Sequence, residues 1–539
     1  MENTQNKNPN VAYFCMEFGL DKDLRIYAGG LGILAGDILK TASESYYPLI
    51  GIGLLWKKGY TKQLIGDNDF PYDSYPTYED IYEQLEDTEV VVEVPIREQT
   101  IFAKVWKLDG YGNTPLYLLD TNLPQNDETQ IITDKLYIGS EEKRIAQEIV
   151  LGIGGIKAIR KLDLNIDIFH FNEGHAALAG TELIKEKVKK GMAFEKAWKE
   201  TRNEIVFTTH TPVKEGNEAH SLELLGELGA FNGLSYDQME KIGGNPFNMT
   251  VAGLRLSRTA NAVSQLHGKT ANEMWGNVEN KAPIKAITNG VNRNTWVDHS
   301  IITNYDDNKK LWKIHQKHKR NLINYIKRKN AVSLRNDRLL IGFARRAATY
   351  KRPDLIFRKP EVIGEYLEKN KIQLVFSGKA HPEDHSGKEM VSHLIHMSRK
   401  YPESVVFIED YDIEVGKLLT KGVDIWLNNP RKPQEASGTS GMKAAMNGVL
   451  NLSILDGWWP EACEHGVNGW QFGDGYEGED QDNHDLEALY NVLLGEVVPT
   501  YYENKDKWIE MMQASIDSTY QRFSARRMLD DYYEKLYKF

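Results

Sequence analysis

Residues 435–448, EASGTSGMKAAMNG, set a run of small residues (Ser437, Gly438, Thr439, Ser440, Gly441) directly ahead of a lysine, Lys443, and a helix-forming stretch. A loop of this kind can turn several backbone N–H groups toward an anion at a helix N-terminus. A lysine on the first turn of that helix would lie beside the anion, and lysine is the residue that condenses with aldehydes. A phosphate cradle next to one lysine meets the needs of pyridoxal phosphate. On spacing alone, a flexible loop with a solvated lysine explains the same residues. Glu435, just ahead of the loop, is suited to sugar hydroxyls rather than to phosphate; its plainer reading is a helix N-terminal acid steadied by the dipole.

Two further groups point to anions. Residues 28–37 (AGGLGILAGD) run glycines, among them Gly29 and Gly30, straight into a helical pattern. Such a turn lets a ligand approach the backbone and ends on an electropositive helix terminus, although a tight turn before a helix needs no ligand. Residues 345–352 (RRAATYKR) place Arg345, Arg346, Lys351 and Arg352 within eight positions after the apolar run LLIGF. Repulsion among these cations favours an anionic ligand, with a solvated basic turn as the alternative. Among the histidines, His381 and His385 have the i, i+4 spacing of two metal ligands on a helix. Pro382 lies between them and no third ligand is evident, so no metal is expected.

The elements that must position these groups read as α/β. Short β-branched and aromatic runs alternate with helical patterns, the signature of βα units and mostly parallel sheets. Strands are expected at residues 167–171, 204–208, 284–288, 339–343, 373–377, 404–408 and 424–427, and helices at 182–190 and 354–369. Polar residues follow one strand after another: Asn172 to His175, Thr209 and His210, Asn289 and Gly290, Arg345 and Arg346, Gly378 and Lys379, Glu409 to Tyr411, Asn428 and Asn429. Open α/β sheets bind ligands at those ends. The charged stretch between Trp296 and Asn336 reads as a helical connector with a solvated face, and residues 473–485 as an acidic, Gly-rich surface loop.

The bulk properties narrow the function. A chain of 539 residues needs more than one core. With 66 basic and 77 acidic residues the net charge is -11, which disfavours nucleic acid or an anionic membrane as partner. Two cysteines, Cys15 and Cys463, argue against a disulfide framework and fit a reducing cytoplasm. The polar N-terminus MENTQNKNPN shows no apolar targeting core, and no apolar run is long enough to span a bilayer.

Taken in order, the blocks YFCMEF (13–18), GGLGIL (29–34), NEGHAA (172–177), His210 with Thr211, TNGV (288–291) with Trp296, residues 345–352, GKA (378–380), Tyr411 and EASGTSGMK (435–443) resemble the α-glucan (glycogen/starch) phosphorylase family, whose members are retaining and pyridoxal-phosphate-dependent. The resemblance implies a GT-B fold, two Rossmann-like domains facing a central cleft. The N-terminal one, on the glucan and phosphate side, would span residues 1–300. The C-terminal one, on the cofactor side, would span 301–510, and a C-terminal helix over 511–539 would pack back on the first. Lys443 would carry the cofactor as a Schiff base; Thr439 and Arg345 would hold its phosphate, with Trp296 and Tyr411 lining its pocket. Gly29 and Gly30, with Arg346 and Lys351, would hold inorganic phosphate, while His210, Asn289, Glu435, Ser437 and Gly438 would bind the glucosyl unit. Lys443, Arg345, Arg346, Lys351 and His210 would carry catalysis.

The implied reaction is phosphorolysis of α-1,4-glucan or maltodextrin to glucose 1-phosphate in the cytoplasm, with a homo-oligomer left open. A nucleotide-sugar glucosyltransferase of glycogen-synthase type, or a glucan-binding protein that has lost catalysis, would share the cleft. The first has no need of Lys443 within GTSGMK; the second has no need of intact Lys443, Arg346 and Lys351. The chain resembles the short bacterial and archaeal type: few residues precede YFCMEF, NEGHAA replaces the pattern of the long enzymes, and DGWWPE (456–461) carries two tryptophans expected in the core.

Overall fold

Runs such as Leu339–Ala344 and Ile372–Ser377 are buried along their whole length, as strands covered on both faces require. The computed structural model describes residues 8–538. The polar start of the chain, residues 1–7, and the last residue of the expected C-terminal helix lie outside the described residues. The chain divides into two units. The first holds the residues up to Tyr60, Tyr75–Thr288 and those from Ala525 on; the second holds Thr61–Ser74 and Asn289–Ser524. Residues 511–524 thus belong to the second unit, and the helix Ala525–Tyr532 to the first.

Among the described residues the first unit has a nine-stranded sheet. From edge to edge it runs Ile284–Ala286, Thr259–Ala262, Ile205–Thr208, Ile168–Asn172, Val11–Phe14, Leu49–Leu54, Leu116–Asp120, Gln99–Leu108 and Glu86–Ile96. Neighbours pair in parallel except at the last two strands, which form an antiparallel hairpin. Numbered along the chain, the parallel strands lie in the order 7-6-5-4-1-2-3. The second unit's six-stranded sheet is parallel throughout: Val405–Ile408, Ile372–Ser377, Leu339–Ala344, Ile425–Asn428, Leu450–Ile454 and Gly469–Phe472, the order 3-2-1-4-5-6. Both sheets therefore reverse winding next to their first strand, and ligands of doubly wound sheets bind outside the carboxyl ends at that reversal. In the first unit the reversal lies between Val11–Phe14 and Ile168–Asn172; in the second, between Leu339–Ala344 and Ile425–Asn428.

Every strand expected from sequence is present within a residue or two. The connector is the helix Asn308–Asn330, and it is more than a solvated link: its buried face includes His315 and Lys319, which bind Asp424 at 2.8 and 2.6 Å at the foot of the central strands. The helix expected over 354–369 is shorter, Pro360–Glu368, because Pro360 sits at its first turn. The acidic loop ends earlier than expected. Helix Gln481–Val492 begins inside it, and Asp485 is buried.

The reason is Arg352. Fully buried, it donates to the carbonyls of Asn429 (2.9 Å) and Pro430 (2.8 Å) and to the carboxylates of Asp482 (2.9 Å) and Asp485 (2.7 Å). It is a pin for the second unit. In the first unit a comparable role falls to residues from the end of the chain: Tyr537 Oη lies 2.6 Å from His170 Nδ1, Arg258 donates to the carbonyls of Leu536 and Tyr537, and Tyr533 stacks on Tyr47.

Two outcomes follow. Arg352→Met leaves the buried carboxylate of Asp485 without its arginine, while Asp482 keeps Arg358 and Arg431. This should lower stability by about 3–5 kcal/mol; thermal unfolding reads this, and a variant melting with the wild type would refute the pin. Burial holds His170 and His210 down at about 3, and His175 and His267 at about 4, from an unfolded value of 6.5. The unfolded chain takes up these protons as pH falls through 6.5 and the folded chain does not. The histidines' contribution is therefore complete above pH 6.5 and is lost progressively toward pH 4. Denaturant unfolding across that window should show the slope drop by about 1.4 kcal/mol per pH unit in His170→Gln; an unchanged slope would contradict the assignment.

Candidate functional site

In the second unit, the small-residue loop becomes a helix, Thr439–Met446, whose N-cap is Gly438 at φ +87°. That left-handed conformation suits glycine, and with no cap side chain the first-turn N–H groups of the helix remain an anion cradle. Lys443 lies one turn further along on the buried face, its ammonium 3.5 Å from the centroid of the Trp296 ring. Cation–π attraction of this kind offsets part of what burying the amine costs. Asn447 fixes the pair: its amide donates to the carbonyls of Trp296 (3.0 Å) and Lys443 (2.8 Å) and accepts from the N–H of Asp298. Trp426 Nε1 donates to Ser440, and Asn451 to the carbonyl of Gly441, so the helix is held on its inner side.

Tyr411 joins this group through Gly416 of helix Ile413–Gly422. A Cβ there would lie 2.6 Å from Tyr411 Oη and 3.6 Å from Trp296 Cζ3. Burial pushes the Tyr411 phenol up to about 12, so it stays a neutral donor. Ser437 Oγ is buried and has no hydrogen-bond partner among the described residues. A buried amine on an indole face, a phenol, an orphaned hydroxyl and an electropositive helix start make a donor set that fits a phosphorylated aldehyde such as pyridoxal phosphate. Asn289 is buried in this unit as well.

The cation cluster is arranged differently from the expectation that an external anion must balance it. Arg345, at the winding reversal, donates to Asn428 and lies 2.7 Å from Glu435 Oε2; the Lys351 ammonium bonds the same oxygen. Burial would raise the Glu435 carboxyl, but Arg345 and Lys351 hold it down at about 2. The protein thus supplies anions itself: Glu435 for two cations, Asp482 and Asp485 for Arg352. Arg346 is exposed. Asp456, which sequence reading passed over in favour of its neighbouring tryptophans, accepts the N–H of Glu435 at 2.9 Å and of Gly457 at 2.8 Å. Burial pushes its carboxyl up to about 7. The signal was present, since Asp456 follows an apolar run as the other polar groups do. Trp458 and Trp459 are buried, and Trp458 packs on Phe523.

The first unit presents its own group at its own reversal. Glu17, past the first strand, accepts the N–H groups of Ala28 and Gly29 at 2.5 and 3.0 Å and the Tyr137 hydroxyl at 3.0 Å. Helix Gly30–Glu44 begins there. Its glycines divide by role. A Cβ on Gly36 would strike the Gly19 carbonyl at 2.1 Å, whereas one on Gly29 or Gly30 would meet nothing within 4 Å. His210 donates from Nε2 to Asn172 Oδ1 at 2.6 Å, and its neutral ring keeps Nδ1 as an acceptor. Glu173, at φ +76°, binds the N–H of His210 and the Thr211 hydroxyl, and burial pushes its carboxyl up to about 7. Backbone strain of this kind at a strand end is commonest at functional sites. His385, by contrast, is exposed beside Glu389.

Residues 298–491 match the family described as carbohydrate phosphorylase. Over 98% of its length the chain is 41% identical to a maltodextrin phosphorylase of Thermococcus litoralis, spanning 70% of that protein. It is 36% identical to a glycogen phosphorylase of Aquifex aeolicus, with 98% of this chain and 86% of that one covered. It is 37% identical to an uncharacterized protein of Methanocaldococcus jannaschii, covering 98% and 99%. The two named phosphorylases, at this identity and matched over nearly all of this chain, show that the chain belongs to the carbohydrate phosphorylase family.

Proposed function

We propose that the chain catalyses retaining phosphorolysis of α-1,4-glucan or maltodextrin at non-reducing ends, releasing glucose 1-phosphate. The observation that carries the reading is Lys443, buried on Trp296 one turn beyond a glycine-capped helix N-terminus. The two doubly wound sheets support a GT-B architecture of Rossmann-like domains. The low cysteine count supports a cytoplasmic setting.

Family members generally use pyridoxal phosphate. When bound, it supplies a phosphate whose second pKa, about 6, allows proton exchange near neutral pH. Lys443 would tether it, Trp296 and Tyr411 would flank it, and Thr439 with Arg345 would hold its phosphate. Inorganic phosphate is assigned to Arg346, Lys351 and the backbone at Gly29 and Gly30. The glucosyl unit is assigned to His210, Asn289, Glu435, Ser437 and Gly438. The substrate phosphate protonates the glycosidic oxygen and captures C1 from the same face, which retains configuration and stabilises an oxocarbenium-like transition state.

The ion pairs of Glu435 add a condition. Lys351 cannot serve inorganic phosphate fully, nor Arg345 the cofactor phosphate, while they share the Glu435 carboxylate. Phosphate entry then releases that carboxylate to accept sugar hydroxyls. One residue thereby couples the two binding events.

Borohydride reduction of the purified protein should fix a pyridoxyl group on the peptide containing Lys443, and Lys443→Ala should abolish both the label and glucose 1-phosphate formation. An unlabelled Lys443 sinks the cofactor assignment; glucan elongation from nucleotide sugar but not from glucose 1-phosphate would favour the transferase. Glu435→Gln should lower the KM for phosphate while reducing kcat by about tenfold or more; a raised phosphate KM would show that Glu435 does not compete for the cations.

A further inference from the structure

Away from the residues assigned to catalysis, helix Glu141–Ile149 faces the short strand Ala219–His220 in the first unit. Glu148 lies between them, fully buried, and neither of its carboxylate oxygens has a hydrogen-bond partner. The nearest cationic atoms are His220 Nε2 at 3.5 Å and Arg144 Nε at 3.9 Å, too far for hydrogen bonds. An ionised carboxylate left this way is costly, and native proteins rarely leave both oxygens unused.

The neighbours share a pattern. Each uses one atom on a partner and leaves the other unused. Glu218 takes Arg144 on Oε1, from Nε at 2.9 Å and from the terminal nitrogen at 2.8 Å, while its Oε2 is buried and unpartnered. His220 gives Nδ1 to Glu141 at 2.9 Å, while its Nε2 is buried and unpartnered. One ligand atom from each of Glu148, Glu218 and His220 lies within 4.8 Å of the others, a grouping of three that no other His, Cys, Asp or Glu residues make among the described residues.

The geometry points to a divalent transition-metal site, of the zinc class, formed by Glu148, Glu218 Oε2 and His220 Nε2. Zinc binds imidazole nitrogen at about 2.0–2.1 Å and carboxylate oxygen at about 2.0–2.2 Å. Two such ligands in a tetrahedron stand about 3.4 Å apart, which agrees with the 3.5 Å between His220 Nε2 and Glu148. The hydrogen bond from His220 Nδ1 to Glu141 is the outer-shell contact that fixes a metal-binding tautomer, and Arg144 orients Glu218 in the same manner. Charges close as well: the carboxylates of Glu141, Glu148 and Glu218 against Arg144 leave two negative charges, which a divalent cation neutralises. Water would complete the coordination. The metal would clamp the segment that follows His210 onto helix Glu141–Ile149, a positioning role with no part in bond making. The competing arrangement is a proton held by the buried carboxylates with a protonated His220.

Titrating Zn2+ into chelator-treated full-length protein by calorimetry should show one site per chain, and the metal should raise the melting temperature. Glu148→Gln and His220→Gln should each weaken binding by about 100-fold. Co2+ added to the unsubstituted protein should give the intense visible bands of a tetrahedral nitrogen and oxygen site, a reading that needs no variant to fold. No saturable binding of either metal, or an affinity in both variants equal to that of the unsubstituted protein, overturns the proposal in favour of the shared proton.

Discussion

Three charges almost excluded from water, Glu435, Arg345 and Lys351, can coexist only because each is the others' solvent. Removing one partner of such a group leaves uncompensated charge, and the penalty for that exceeds what the contact itself is worth. The surrounding architecture serves this requirement. Arg345 is delivered by the first strand of the sheet, Glu435 by the loop after the fourth, and Asp456 from beyond the fifth anchors the Glu435 backbone. Arg352, one residue past Lys351, locks the same turn to helix Gln481–Val492. A sheet wound in another order would not bring these ends together.

The first unit solves a similar problem with uncharged means. Burial holds four of its histidines neutral, His170, His175, His210 and His267, and hydroxyls and an amide satisfy two of them: His170 with Thr208 and Tyr537, His210 with Asn172. A neutral His210 accepts as well as donates, which suits recognition of sugar hydroxyls better than an imidazolium would. The second unit concentrates cations and carboxylates, and the first relies more on adaptable dipoles.

Much of this was legible in the sequence because strand ends are legible. Runs such as LLIGF and DIFHF announce buried parallel strands, and the polar residues after them are placed by topology alone. The edge hairpin Glu86–Ile96 and Gln99–Leu108 was not, since half its residues face solvent and break the apolar run. The internal partners of the basic turn were not legible for a different reason. Its balancing carboxylates lie 84 and 130 or more positions away, and nothing local distinguishes an arginine awaiting phosphate from one already paired. The same distance hid the cluster of Glu148, Glu218 and His220, while the closer spacing of His381 and His385 joins a half-buried residue to an exposed one.

The segment ending at Tyr537 has a temporal consequence. It supplies the hydroxyl that satisfies His170 at the centre of the first sheet, yet all of the second unit except Thr61–Ser74 is encoded between Thr288 and Ala525. At synthesis rates of about 5–20 residues per second, the nascent first unit waits roughly 12 to 50 seconds for its last piece. Throughout that interval the faces of Tyr13 and His170 that the final helix covers stand open. The first unit's sheet is therefore completed only after the second unit has been made, and a chaperone that shields this sheet face during elongation would act on this unit before the other.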